Sequence, residues 1–355
     1  MTETRRTEEV ILSRCRELGF APAGIARAEP TAYEDELRAW LAAGRNGEMA
    51  YLKRHEELLV DPARMVEGAR SIICVADRYW NGAHDDDDRS QNEAVGGVAR
   101  YARGDDYHVV IKSRLRRLCD ELRQRFPQET FQACVDTVPL LEREHAQRAG
   151  LGAVGKNTLL IRRGEGSYFL LGEIVTTLDL EPSEPARPDP CGPCTRCIDA
   201  CPTNAITPWS VDATRCTSYL TIEHRSAIDP ALFPAIDNWI FGCDICQEVC
   251  PHNLRKGLPA VHDSYTPRRT AFDLLEVLNW TEDDRRAAFT KSAMKRARLE
   301  MMKRNALIAA GNALAAADQP ALLARIESLA RDDSEPQMVR DTAVAVLANL
   351  AQESP

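Results

Sequence analysis

No stretch of the 355-residue chain is apolar for the ~18–20 residues a bilayer-spanning helix needs, which predicts no membrane partner. The opening residues, Met1 to Glu9, are polar and contain no apolar signal-peptide core, so the expected location is cytoplasmic. Positive charge is also in short supply. The 45 Lys and Arg stand against 54 Asp and Glu, a formal net charge of −9. Spread evenly, that balance would argue against nucleic-acid binding. Two phosphate-binding signatures fail as well. Gly150-Leu-Gly-Ala-Val-Gly155 has dinucleotide-loop spacing, but it follows a helical segment where a strand is required. Gly155-Lys156 is not followed by Ser or Thr, which excludes a Walker-type loop.

What is present is uneven. Between Arg285 and Arg304 the chain carries Arg285, Arg286, Lys291, Lys295, Arg296, Arg298, Lys303 and Arg304 against the single acid Glu300. Such a stripe can bind phosphates on an acidic protein because screening confines fields to ~8–10 Å; a solvated helix face is the plainer account. Residues 1–180 read as a mixed α/β unit. Glu8–Leu18, Tyr33–Ala43 and Val109–Phe126 have helical spacing, and Arg70–Asp77 is an apolar run that fits a buried strand. Thr130–Val135 reads as a further strand. Thr158–Ile161 and Ser167–Asp179 flank Arg-Arg-Gly-Glu-Gly in the manner of a β-hairpin, and His84–Asp88 is a polar loop. A Pro-rich linker, Glu181–Pro190, opens a cysteine-rich segment over 181–265. Residues 266–355 are helical in composition. There Asn305–Asn312 echoes Thr342–Asn349 at a spacing close to that of HEAT-like repeats, although a plain bundle explains it nearly as well. The expected class is α+β.

Eight of the 12 cysteines lie between Cys191 and Cys250, a crowding that in a reducing compartment means metal or redox chemistry. Cys191-Gly-Pro-Cys194-Thr-Arg-Cys197-Ile-Asp-Ala-Cys201-Pro202 is the bacterial-ferredoxin run for 4Fe–4S clusters, in which the fourth cysteine ligates the other cluster. Cys243-Asp-Ile-Cys246-Gln-Glu-Val-Cys250-Pro251 repeats its ending without one central cysteine, and Cys216 is available to replace it. The economical assignment is crossed. One cluster takes Cys191, Cys194, Cys197 and Cys250; the other takes Cys201, Cys216, Cys243 and Cys246. Zinc is the competing occupant, since C-x2-C pairs also suit tetrahedral zinc. Cys15, Cys74, Cys119 and Cys134 sit among apolar neighbours and read as small buried hydrophobes.

Asp136 follows the Thr130–Val135 strand and precedes Thr-Val-Pro139, so it occupies a strand end where reacting groups commonly gather. Taken with Arg100–His108, Asp136–Glu142, Gly150–Thr158, both cysteine motifs, Ser218–Arg225 and Trp239–Asp244, it makes the chain resemble epoxyqueuosine reductase over nearly its whole length. That resemblance implies a cobalamin-binding N-terminal domain like that of reductive dehalogenases, a two-cluster ferredoxin-like module and a small HEAT-like helical domain. It implies reduction of the epoxide of epoxyqueuosine to queuosine at the tRNA wobble position, with Asp136 as a buried proton donor. Tyr101, Lys156, Asn157 and Ser218 would lie around the corrin, with Cys243 and Asp244 nearby. His224, Arg225, Arg296, Arg298, Lys303 and Arg304 would face tRNA. Asp106-Tyr-His108 begins like a histidine-on cobalamin motif, but Ile111 stands where glycine is required, so the cobalamin would be base-off without a histidine ligand. The partners implied are tRNA carrying epoxyqueuosine and an external low-potential electron donor. The absence of a coiled-coil repeat favours a monomer. Two alternatives stay open: a dehalogenase-like enzyme on a small substrate, and a two-cluster electron carrier without catalysis.

Overall fold

The computed structural model describes residues 3–80, 94–254, 258 and 261–353, so the His84–Asp88 segment lies outside the described residues. Its N-terminal half is built on a four-stranded antiparallel sheet. Ser71–Arg78 pairs with Ala23–Arg27 on one side (Ile25 opposite Ile73) and with Phe169–Thr176 on the other (Ile73 opposite Ile174). Phe131–Cys134 completes the sheet beside Phe169–Thr176. Every residue of Ser71–Arg78 is buried, because helices cover both faces of the strand. Ile73 and Val75 pack with Ile11 and Cys15 of helix Glu3–Glu17 and with Ile111, Leu115 and Leu118 of helix Tyr107–Arg125. Ile72, Cys74 and Ala76 point the other way, onto Ala146 of helix Glu142–Arg148. Each such side chain contributes ~1.5–3 kcal/mol when fully buried. The long helix approaches closely at Gly172, where a Cβ would stand 2.6 Å from Ile111 Cγ2. Cys15, Cys74, Cys119 and Cys134 are all buried, and burial pushes the Cys15 and Cys134 thiols up to about 12.

The expected hairpin across Arg-Arg-Gly-Glu-Gly is corrected. Leu160–Ile161 pairs back onto Ala153–Val154, while Phe169–Thr176 joins the main sheet; only an isolated bridge, Arg162 with Gly166, closes the turn. A second sheet has Val95–Val98 as its middle strand, parallel to Trp239–Phe241 and antiparallel to Ala271–Asp273. One strand thus comes from each of the three segments expected from the sequence. The two echoing C-terminal segments lie on helices Leu299–Ala316 and Gln337–Glu353, which pack so closely that a Cβ at Gly311 would meet Val346 Cγ1 at 2.7 Å.

Helix Leu299–Ala316 is buried along its first three turns, which overturns the placement of Lys303 and Arg304 on a tRNA surface. Arg304 is 0% exposed and Lys303 5%. The guanidinium donates to the carbonyls of Leu220 (2.6 Å), His224 (2.9 Å) and Ser226 (2.6 Å), the otherwise unpaired end of helix Thr217–Ile222. Lys303 pairs with Glu335. Replacing Arg304 with Met is expected to cost about 3 kcal/mol or more, because several buried carbonyls lose their donor. A clearly lower midpoint of thermal unfolding is the measurement that checks this.

Candidate active site and cysteine centre

Each cysteine run closes on a short helix, Arg196–Asp199 in the first and Ile245–Glu248 in the second, followed by a Cys-Pro turn. Proximity sorts the thiols into two sets. Cys197 is raised by burial and then by the charges of Cys191, Cys250 and Cys194; Cys250 is raised by burial and by Cys191 and Cys194. Cys243 is raised by burial, Cys216 and Cys201, and Cys246 by burial, Cys243 and Cys216. Cys246 also feels Cys197, so the sets adjoin. A cavity of about 170 Å³ is lined by Cys191, Cys194, Cys197 and Cys250. Among the described residues, no three His, Cys, Asp or Glu side chains converge tightly enough to hold a single ion. Thiolates around one zinc would stand within ~4 Å of each other, given Zn–S bonds of ~2.3 Å, whereas a cubane occupies the space between its thiolates. The donor set fits two cubanes.

Backbone amides converge on the sulfurs. The N–H of Lys156 donates to Cys191 Sγ (3.4 Å) and that of Ala205 to Cys201 Sγ (3.3 Å). Cys216 stands at the N-terminus of helix Thr217–Ile222, where the Ser218 and Tyr219 amides favour its thiolate; burial still raises the thiol overall. Lys156 and Asn157, expected around a corrin, hold the cysteine loops. Lys156 Nζ donates to the carbonyls of Gly192 (2.6 Å) and Cys194 (3.1 Å), and Asn157 Nδ2 to that of Cys246 (3.5 Å). Asp244 is fully buried, accepting from the Arg100 N–H at 2.7 Å and from Gln247 Nε2 at 3.1 Å. Gln247 in turn joins Ser167, Tyr79 and Asn253 in a buried network that holds the second cysteine loop against the main sheet.

Asp136 stands just past the end of Phe131–Cys134, with its side chain 41% exposed rather than buried as expected. Tyr107 donates to its Oδ2, and His108 Nε2 lies 2.7 Å from its Oδ1. His108 Nδ1 is 2.7 Å from Asp106, which also caps helix Tyr107–Arg125. Burial would lower the His108 pKa, but the hydrogen bonds to Asp106 and Asp136 and their charges overcome it and lift it to about 9. The ring is therefore a cation at neutral pH. Its stabilising contribution is full below its ordinary value near 6.5 and fades as pH rises through about 9. Tyr101 makes an edge contact with Tyr107 (6.0 Å between centroids); burial, then Asp136 and Asp244, push its phenol up.

Charged neighbours lead from Asp136 towards the cysteines. Glu142 lies near Asp136, and its carboxyl is driven well up, by burial first and then by the charges of Glu173 and Asp136; its Oε1 is buried without a partner. Arg143 is open to solvent yet walled by enough protein that desolvation lowers its guanidinium, and it feels Cys246 and Cys216. Tyr107, His108, Glu142 and Arg143 were all missed as site residues. The Asp106-Tyr-His108 spacing was the available signal for His108, set aside because it was compared only with a metal-binding motif. Arg296 pairs with Glu223, feels Asp136 and stands 6.0 Å from the Tyr51 ring. Arg298 is 68% exposed. Arg225 packs inward on the Arg296 carbonyl (3.2 Å), and His224 Nε2 bonds the Ala227 carbonyl (2.9 Å).

A family model described as Epoxyqueuosine reductase QueG, DUF1730, matches residues 60–137, and one described as a 4Fe-4S double cluster binding domain matches 190–253. An epoxyqueuosine reductase of Pseudomonas aeruginosa is 39% identical over 334 residues, covering 92% of this chain and 90% of the relative. The chain belongs to the epoxyqueuosine reductase family. Solved structures agree. An epoxyqueuosine reductase with an epoxyqueuosine-modified tRNA-Tyr stem loop superposes with a TM-score of 0.87 at 27% identity, covering 99% of this chain and 93% of that one. Another member, from Bacillus subtilis, was captured with an aspartate-bearing catalytic loop swung out of the active site (TM-score 0.87, 26% identity, covering 99% and 93%). The family fold is mixed α/β, and no helix among the described residues is long and apolar enough to cross a membrane.

Proposed function

We propose that this chain reduces the epoxide of epoxyqueuosine in tRNA to the alkene of queuosine. The observation that carries the reading is an unbroken run of electrostatic neighbours: Asp136 acts on Glu142, Glu142 on Arg143, and Arg143 on Cys216 and Cys246. A proton source thus lies close to the thiolates of an electron-delivering centre. Family membership and the stem-loop complex of a relative support the substrate. Cys191, Cys194, Cys197 and Cys250 hold one 4Fe–4S cluster, and Cys201, Cys216, Cys243 and Cys246 the other.

Cobalamin is the cofactor that suits these residues, and when bound it would supply a strongly nucleophilic reduced metal for the epoxide carbon. The residues fit a base-off form: both ring nitrogens of His108 are spent on carboxylates, and the unpartnered Glu142 Oε1 and the solvent-facing Arg143 are left to offer polar contacts. Tyr101 and Ser218, both half-buried, remain as corrin contacts beside Cys243. Asp136, on its exposed loop, gives a proton to the epoxide oxygen as the C–O bond opens. Without that proton the product would be an unstabilised alkoxide. Arg298 and Lys295, exposed beside Arg296, meet RNA phosphates. The chain acts as a cytoplasmic monomer, supplied by a low-potential electron donor.

The test is anaerobic turnover of cluster-loaded protein with cobalamin, a strong reductant and epoxyqueuosine-containing tRNA, nucleosides being read by mass spectrometry. Queuosine appears only when cobalamin is present. Absence of product from protein carrying both clusters and bound corrin would sink the reading.

A further inference from the structure

Turning an epoxide into an alkene breaks both C–O bonds, forms one C=C bond and releases the ring oxygen as water. The change consumes two electrons, here from the low-potential donor through the clusters, and two protons. Asp136 carries a single transferable proton, so it must be reloaded before the oxygen can leave as water. The side chains around it differ sharply in what they can give. Tyr107 donates its hydroxyl hydrogen to Oδ2, but burial and the nearby Asp136 and Tyr101 charges drive its phenol far above neutrality, so it holds that oxygen without protonating it. Tyr101 and Tyr51 are likewise raised, chiefly by burial. Arg296 is a permanent cation, and Glu142 has no hydrogen bond to Asp136. Only His108 offers a proton that is labile near neutrality, in line with an Asp136 oxygen at 2.7 Å.

We propose that His108 is the residue that reprotonates Asp136 within one catalytic cycle, so that the two protons that leave with the oxygen both pass through Asp136. This rests on the epoxide reading above. With the His108 cation paired to Asp136, the first proton passes from Nε2 through the Asp136 carboxyl to the oxygen as the first C–O bond breaks, leaving a neutral imidazole. The ring takes a second proton from water, and that proton follows the same route to the departing hydroxide. Asp106 keeps Nδ1–H in place at 2.7 Å, which fixes the tautomer with Nε2 free to take a new proton. The ring edge is 28% exposed, so water recharges it between the two transfers and again after product leaves. Tyr107 stacks on the imidazole at 4.0 Å and keeps its plane aligned with the carboxylate. Lys295, whose charge reaches Asp106, is the remaining ionisable neighbour. His108 acts through Asp136 and is a positioning residue in that sense.

Two measurements test it. In the chain without cobalamin or tRNA, two-bond 1H–15N spectra should show His108 as a cation at pH 7 that titrates near pH 9, and Asp136→Asn should move that midpoint down. In turnover with epoxyqueuosine-containing tRNA, His108→Gln should lower the rate about tenfold or more at pH 7.5, the loss growing as pH rises. His108→Ala should regain rate when imidazole is added, in proportion to the imidazolium fraction. A neutral ring at pH 7, an unchanged rate in His108→Gln, or a deficit that is constant with pH and untouched by imidazole would overturn the relay. If the wild-type chain makes no queuosine, the epoxide reading fails and the relay with it, while the spectra still report whether the ion pair exists.

Discussion

Asp136→Asn is expected to lower queuosine formation by about 10²–10⁴-fold while leaving iron content and tRNA binding unchanged. Asparagine keeps the size of the side chain and can still accept from Tyr107, so the loop should hold its place. It has no acidic proton, and the oxygen of the opening epoxide would have to take one from water. Single-turnover rates of reduced, cofactor-loaded enzyme isolate this step from electron supply. Because the His108 cation then faces an amide, the variant should also be less stable at pH 6–8 than the parent, and the gap should close as pH rises through about 9. Activity within a few-fold of the parent would dismiss Asp136 as the proton donor.

The second large effect concerns Cys216. Changing it to Ser should reduce bound iron from about eight to about four atoms per chain and abolish turnover, because one of two 4Fe–4S clusters loses a thiolate. Cys216 is the informative choice because it stands outside both C-x2-C motifs. It belongs to the second set only through its closeness to Cys201, Cys243 and Cys246. The Ser218 and Tyr219 amides that favour its thiolate make sense for a ligand that must carry negative charge in a buried place. Iron analysis with electron paramagnetic resonance of the reduced protein separates the outcomes: one remaining cluster signal supports Cys216 as a ligand of the second cluster, and two undiminished signals refute it.

The cysteine spacing was legible because ligation is local: a helical turn between Cys194 and Cys201 sets the geometry whatever else the chain does. The buried strand at Ser71–Arg78 was legible for a similar reason, since an unbroken apolar run has no wet face to show. Partner choice was not legible. Leu160–Ile161 and Phe169–Thr176 both look like strands, but pairing with Ala153–Val154 or with Ser71–Arg78 is decided by packing far away in sequence. The basic stripe misled in the same way. Nothing in the sequence around Arg304 reveals that three carbonyls about 80 residues earlier need its donors. His108 escaped notice because its meaning depends on Asp136, which meets it only once the Phe131–Cys134 strand lies alongside helix Tyr107–Arg125.

The sheet centred on Val95–Val98 has a consequence for synthesis. When a ribosome has released the first 180 residues, the main sheet can already close, but Val95–Val98 still has both edges bare, with Gly96 and Gly97 offering little to cover them. One edge is filled only after Phe241 emerges and the other only after Asp273. Three quarters of the polypeptide must therefore be made before this strand is sealed. The interval is one in which the nascent chain depends on a chaperone or on speed, and a truncation before Ala271 would leave a permanent sticky edge beside the iron-binding loops.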